Sequence, residues 1–172
     1  MEPVIKIVEL SPSEWKRYKD IRLEAFSESP QAFLISFNEA ENEPDEKWKA
    51  ALEDAEKGNR WLIFAEKEGE IIGMTGAFIS EEYKGKNTAK IIEVFVSSRA
   101  RGLHVGRMLL EAMIEKLRKL GMERVILVVN KEQIPAYSLY KSLGFKGIED
   151  MNIMLGDGKS HEELVMELNL LN

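Results

Sequence analysis

The chain has no cysteine and only two histidines in 172 residues. Without cysteine there are no disulfides, no thiolate metal site and no cysteine nucleophile. His104 and His161 are too few for a histidine-based metal centre, so no metal is expected. Long apolar runs are also lacking, and no segment reaches the length of a membrane span. The opening MEPVIKIVEL has neither the basic start nor the apolar stretch of a signal peptide. A soluble, cytoplasmic protein that uses no membrane is therefore expected. Positive charge is in deficit: 24 Lys and Arg face 30 Asp and Glu, a net charge of -6. That balance speaks against general nucleic-acid binding. Three familiar signatures are missing as well. No Gly-Lys-Ser/Thr completes a Walker loop, no Gly-x-Gly-x-x-Gly marks a dinucleotide site, and no Gly-x-Ser-x-Gly forms a hydrolase elbow.

What is present is enough apolar residue, 44%, to bury a core without staples. The length fits one domain over 1–172. VIKIVEL (Val4–Leu10) alternates like a strand. Ser11 or Ser13 can cap a helix running to about Ser27. An acidic stretch broken by Pro30 and Pro44 reads as a loop into a second helix at about Pro44–Lys57. RWLIFAEK and EIIGMTGAFIS flank a short Glu-Gly hairpin signal, and KIIEVFV continues the meander. A long helix spans about His104–Leu120, with Gly121 placed to end it. RVILVV (Arg124–Val129) is a continuous apolar run, as in a strand buried on both faces. Pro135 opens a short helix through Leu143, ended by Gly144. FKGIEDMNIML and EELVMELNL read as two last strands. The order β-α-α-β-β-β-α-β-α-β-β predicts an α/β (α+β) fold. Its sheet is mixed, mostly antiparallel, of about six or seven strands, with helices on both faces.

One junction carries chemistry. In RARGLHVGRM, Gly102, Gly106 and three arginines stand where an apolar strand passes into the long helix. Helix-start N–H groups have no intrahelical partner, the helix dipole adds positive charge, and small residues admit an anion to the backbone. By itself the stretch is equally a glycine-containing turn with solvated arginines.

The segment VFVSSRARGLHVGRMLLEAMIEKLRKLGMERVILVV, followed by IPAYSLYKSLGF, resembles the GNAT superfamily of acyl-CoA-dependent N-acyltransferases. That family carries Arg/Gln-x-x-Gly-x-Gly/Ala at the start of a long helix, and Tyr-x-x-x-Gly-Phe at the end of a later one. Arg101 to Gly106 aligns with the first motif; Tyr140, Gly144 and Phe145 fit the second. Two positions depart. His104 stands at the pattern's middle glycine, and Gln133 at a frequent asparagine, with Asn130 three residues too early.

The resemblance implies an N-acetyltransferase that moves an acetyl group from acetyl-CoA to an amine in a ternary complex. The acceptor would be a small molecule or a peptide or protein N-terminus. The amides of about Leu103, His104, Val105, Gly106 and Arg107, with Gly102 and Arg101 beside them, would hold the pyrophosphate. The pantetheine arm would add a strand to Val94, Phe95 and Val96, where two parallel strands splay apart. Gln133 would border the cofactor. Tyr140 is the candidate acid for the leaving thiolate, with Tyr137 as fallback; core packing on a face shared with Ala136, Leu139 and Leu143 is the plainer reading. Glu93 is the candidate base, directly or through water, or else a solvated residue or a lysine's partner. Phe26, Phe33, Phe37 and Trp48 could line an acceptor site, with Glu24, Glu28 and Glu39 drawing in a cation; core and solvated face are the alternatives. His104 is expected in helical geometry with negative φ and its ring at the rim of the site. A catalytically idle coenzyme A-binding sensor is the competing function. Dimers are common among similar proteins, so the resemblance allows a homodimer, which no residue pattern specifies.

Overall fold

The structure, a computed structural model, describes residues 2–171. Seven strands form one sheet: β1 (Ile5–Val8), β2 (Trp61–Lys67), β3 (Glu70–Phe78), β4 (Thr88–Val96), β5 (Arg124–Val129), β6 (Lys146–Met154) and β7 (Ser160–Asn169). Their spatial order is β1-β2-β3-β4-β5-β7-β6. Every pairing is antiparallel except β4 with β5. That pair needs a crossover, and α4 (Val105–Lys119) supplies it. The mixed sheet follows the pattern read from the sequence.

Helices cover both faces because the strands alternate apolar side chains toward each. On one face α1 (Trp15–Glu28), α2 (Phe37–Glu41) and α3 (Asp45–Glu56) pack Tyr18, Phe26, Ala40, Trp48 and Leu52 against Leu62, Phe64, Met74 and Phe95. On the other, α4 and α5 (Ile134–Ser142) pack Leu109, Met113, Leu117 and Tyr140 against Ile63, Ile91, Leu127 and Met166. Each side therefore has its own core, with the sheet between.

Two expectations fail here. The acidic stretch before Pro44 is not all loop. Ser36 opens α2, accepting from Glu39 N at 3.2 Å, while Ser36 N donates to Glu39 Oε2 at 2.7 Å. This reciprocal capping offsets the short length of the helix. His104 is not in negative-φ geometry either. The helix begins one residue later, and His104 is its N-cap, at φ 60°, ψ 24° in the left-handed region. The chain leaves Gly102 (φ 85°) and must turn again to enter α4. That second turn is why the pattern favours glycine there, and histidine tolerates it better than most side chains.

Candidate active site

The parallel pair does not stay paired. Thr88, Ala89 and Lys90 of β4 match Arg124, Val125 and Ile126 of β5, and there the ladder stops. Both strands run on, to Val96 and Val129. Between them opens a cleft of about 530 Å³, lined by residues 91–96 of β4, 127–130 beyond and within β5, and Gln133, Ala136, Leu139 and Tyr140 of the α5 region. Arg101 and Gly106 border it from the loop before α4, and Ser29, Gln31 and Phe33 from the segment after α1.

A bulge shapes the β4 wall. Gly76 faces Ile92 and Met74 faces Phe95, so Thr75 alone opposes Glu93 and Val94. Glu93 takes the strain, with φ 57°. Its carboxylate is held on the α1 side. Tyr18 Oη donates to Oε2 at 3.3 Å, Arg60 Nη2 to Oε1 at 3.3 Å, and Arg22 Nη2 lies 3.5 Å from Oε1. Arg22 itself is buried and stacks on Phe26 and Phe33, its guanidinium carbon 4.6 and 5.3 Å from their ring centres. Burial, with the Glu93 charge beside it, raises the Tyr18 pKa and keeps that hydroxyl a donor.

The junction leaves some of its amides free. Leu103 N donates to the Ala100 carbonyl and Met108 N to that of His104. The N–H groups of Val105, Gly106 and Arg107 lie in the first turn, where no intrahelical acceptor exists. Space at Gly106 is tight: a Cβ there would sit 3.2 Å from Leu139 Cδ2, which would have to shift, and 3.6 Å from Val96 Cγ2. The three arginines divide. Arg99 is drawn away to Glu24 at 2.9 Å and Glu70 at 2.8 Å. Arg107 reaches Glu111 and the Ser142 hydroxyl. Arg101 stays largely exposed, 4.0 Å from Glu28. Val105 is buried in the core, while Gly102, Leu103 and His104 are exposed.

Tyr140 has a buried ring, edge-on to Phe145 at 6.1 Å, and borders the cleft. Desolvation raises its pKa, so the hydroxyl stays protonated. Tyr137 is half-buried and pairs with Lys141 through its ring, outside the cleft. Gln133 precedes α5 as its N-cap. Asn130, also on the cleft, accepts from Glu132 N at 2.8 Å.

Of the proposed acceptor-site residues, Phe26 and Trp48 are core, and Phe37 stands partly exposed at the start of α2. Phe33 does line the cleft; Glu24, Glu28 and Glu39 do not. Their local contacts explain this. Glu24 pairs with Arg99, Glu28 accepts from Ser98 N and Oγ at 3.1 and 2.6 Å, and Glu39 caps α2. A residue not singled out from the sequence takes their place. Glu163 of β7 is 5% exposed and lines the cleft, and its Oε2 has no partner. Burial raises its pKa, and His161 opposes that. The turn between β6 and β7 touches the segment after α1, where Gly156 N donates to the Phe33 carbonyl at 2.6 Å. No group of three or more His, Cys, Asp and Glu among the described residues could hold a metal ion. No helix among them is long and apolar enough to cross a membrane.

Known proteins share this fold. A model described as the acetyltransferase (GNAT) family matches residues 15–145. Rat N-acetyltransferase family 8 member 2 is 30% identical over 90 residues, 52% of this chain and 39% of that protein. The chain thus spans about two fifths of the length of that relative and of the human and rat N-acetyltransferase 8 proteins. The spermine/spermidine N(1)-acetyltransferase of Bacillus subtilis is 26% identical over 133 residues, 73% of this chain and 88% of that one. In fold, the chain is similar to YncA of Salmonella typhimurium, solved with acetyl-CoA (TM-score 0.82, 19% identity, 98% of this chain and 95% of that one). It is also similar to the PaiA N-acetyltransferase of Thermoplasma acidophilum, solved with coenzyme A (TM-score 0.74, 19% identity, 96% and 99%). With a family model matched over residues 15–145, this chain belongs to the acetyltransferase (GNAT) family.

Proposed function

We propose that this chain is an N-acetyltransferase that carries an acetyl group from acetyl-CoA to an amine within one domain. The carrying observation is the cleft where β4 and β5 part, with free helix-start amides at one end and a protonated tyrosine along its wall. The pyrophosphate would meet the amides of about 103–107, with Arg101 adding charge. The pantetheine arm would pair with the open edge of Val94–Val96. Its acetyl end would then lie between the strands.

The amine must arrive at the carbonyl without its proton. Glu93 is the proposed proton acceptor, through water, because its two oxygens already carry Arg22, Arg60 and Tyr18. The nitrogen attacks the acyl carbon, the C–N bond forms and the C–S bond breaks. Tyr140 donates a hydrogen bond to the departing sulfur. As the C–S bond breaks, Tyr140 passes its hydroxyl proton to the sulfur and takes up the proton that the nitrogen loses, because burial disfavours a lasting tyrosinate. Without cysteine there is no route through a cysteinyl thioester, which favours direct transfer in a ternary complex.

Calorimetry with acetyl-CoA and a thiol-release assay with a panel of amines and N-terminal peptides test the proposal. Saturable binding and acceptor-dependent thiol release are expected. Binding without release across the panel leaves a coenzyme A-binding sensor; no binding overturns both.

A further inference from the structure

Glu163 is the charge the reaction above does not use. Strand alternation fixes its direction. Leu164 and Met166 of β7 belong to the core under α4 and α5, so Glu163 and Val165 face the α1 side. Leu164 forms the last β7 pair with β5, opposite Val129, so Glu163 sits one residue past it, at the open end of the cleft beside Asn130. Phe33, in contact with the turn between β6 and β7, borders the same end.

The electrostatics of this end are uneven. Glu93, the other carboxylate on the cleft, is matched by two arginines. Glu163 has no Lys, Arg or His among the described residues within ion-pair distance. Its neighbour His161 turns its Nε2 to Asp157 Oδ2 at 2.7 Å and its Nδ1 toward Asn130 at 3.5 Å. A carboxylate 5% exposed with a bare oxygen costs stability unless something pairs with it. A methionine or leucine would fill that space without the cost.

We propose that Glu163 is the acceptor's anchor: it pairs with a second cationic nitrogen of a diamine or polyamine while the other amine reacts. This rests on the acetyltransferase reading and deepens it. The reacting nitrogen must be neutral when it attacks, so it offers no lasting partner for a carboxylate. A second ammonium does, and it supplies the missing hydrogen-bond donors as well. The two ends of the acceptor would lie on the α1 side of the sheet, opposite the α5 face that carries Tyr140.

Butylamine and 1,4-diaminobutane differ by this one group, and spermidine extends it. With saturating acetyl-CoA, the wild type should show a KM for 1,4-diaminobutane and spermidine at least tenfold below that for butylamine. Glu163→Gln should erase that preference by raising the diamine KM, with kcat within about threefold and acetyl-CoA affinity unchanged. Calorimetric titration of spermidine into the coenzyme A complex gives a readout free of turnover: binding to the wild type and loss in Glu163→Gln are expected. A wild type without diamine preference, or a variant that retains it, overturns the proposal. An equal fall in kcat for all three amines would make Glu163 a base rather than an anchor. Loss of acetyl-CoA binding itself would instead count against the acetyltransferase reading.

Discussion

The two halves of the cleft are made of different material. Around the start of α4 the proposed binding groups are backbone: free amides, an open strand edge, and Gly106 where space is tight. Around α1 they are side chains: Glu93 with Arg22, Arg60 and Tyr18, and Glu163 with Asn130 nearby. A backbone half needs a fixed chain path and tolerates most side chains. A side-chain half tolerates varied paths but needs particular residues. Substitutions should therefore sort by half. Those on the α1 side should change acceptor use and stability; those in the loop should change little unless they alter the path.

Tyr140, the one side chain assigned to the leaving group, gives the sharpest test. Tyr140→Phe should lower turnover about 10²–10⁴-fold, roughly 3–5 kcal/mol in the barrier. Acetyl-CoA affinity should hold, since the amides and strand edge are untouched. Single-turnover kinetics beside calorimetry check this, and wild-type turnover where chemistry limits the rate would end the assignment.

Glu93→Gln follows. It leaves the buried Arg22 and the half-buried Arg60 beside a neutral amide. Breaking a fully buried pair costs about 3 kcal/mol; partial exposure of Arg60 screens this to about 1–2 kcal/mol, read as a lower denaturant midpoint. Turnover should fall most at low pH, where free amine is scarce. Unchanged stability and an unchanged pH profile would place Glu93 outside both roles.

Glu163 should have a smaller, pH-dependent signature. Its folded-state pKa is raised above the ordinary 4.5, so its contribution to stability is complete below that value and is lost as pH rises through the raised one. Glu163→Gln should remove that loss. The variant's melting temperature should gain on the wild type between pH 4 and pH 7. Parallel curves would show that the carboxylate is not desolvated.

The smallest effect belongs to the loop. The left-handed conformation costs His104 about 1 kcal/mol relative to glycine. Glycine's greater freedom in the unfolded chain returns part of that. His104→Gly should thus stabilise by about 0.5 kcal/mol in denaturant titration and leave acetyl-CoA affinity within about twofold. A tenfold loss of affinity would show that the imidazole, and not only the backbone, holds the ligand.

The same division explains how much could be read from the sequence. The backbone half is contiguous: a strand, two glycines at fixed spacing and an amphipathic helix occupy Ile91 to Lys119, and Tyr140 follows at a set distance. The order of elements in this stretch and its crossover helix were legible for that reason. The side-chain half is assembled from residues 18, 22, 60, 93 and 163, which no local pattern links. Two signals were nevertheless available. Ser36 and Glu39 have capping-box spacing, which marks α2. Glu163 shares a strand face with the apolar Val165, unusual for a solvated acid. The bulge at Glu93 left no trace in residue type, because glutamate has no preference for positive φ. At His104 the motif's own glycine carried the missing information: a position that favours glycine usually does so for its dihedral angles.

The unzipped stretch between β4 and β5 makes the ligand part of the architecture. A coenzyme arm laid along Val94–Val96 would act as the strand the sheet lacks, so occupancy and folding become linked through mass action. At a hundred times its dissociation constant, such a ligand adds about 2.7 kcal/mol to the folded state. The gain would not spread evenly. Amide protons along the open edge of β4 should exchange freely with deuterium in the unliganded protein and slow once it is filled, while the closed ladder at Thr88–Lys90 keeps its protection throughout.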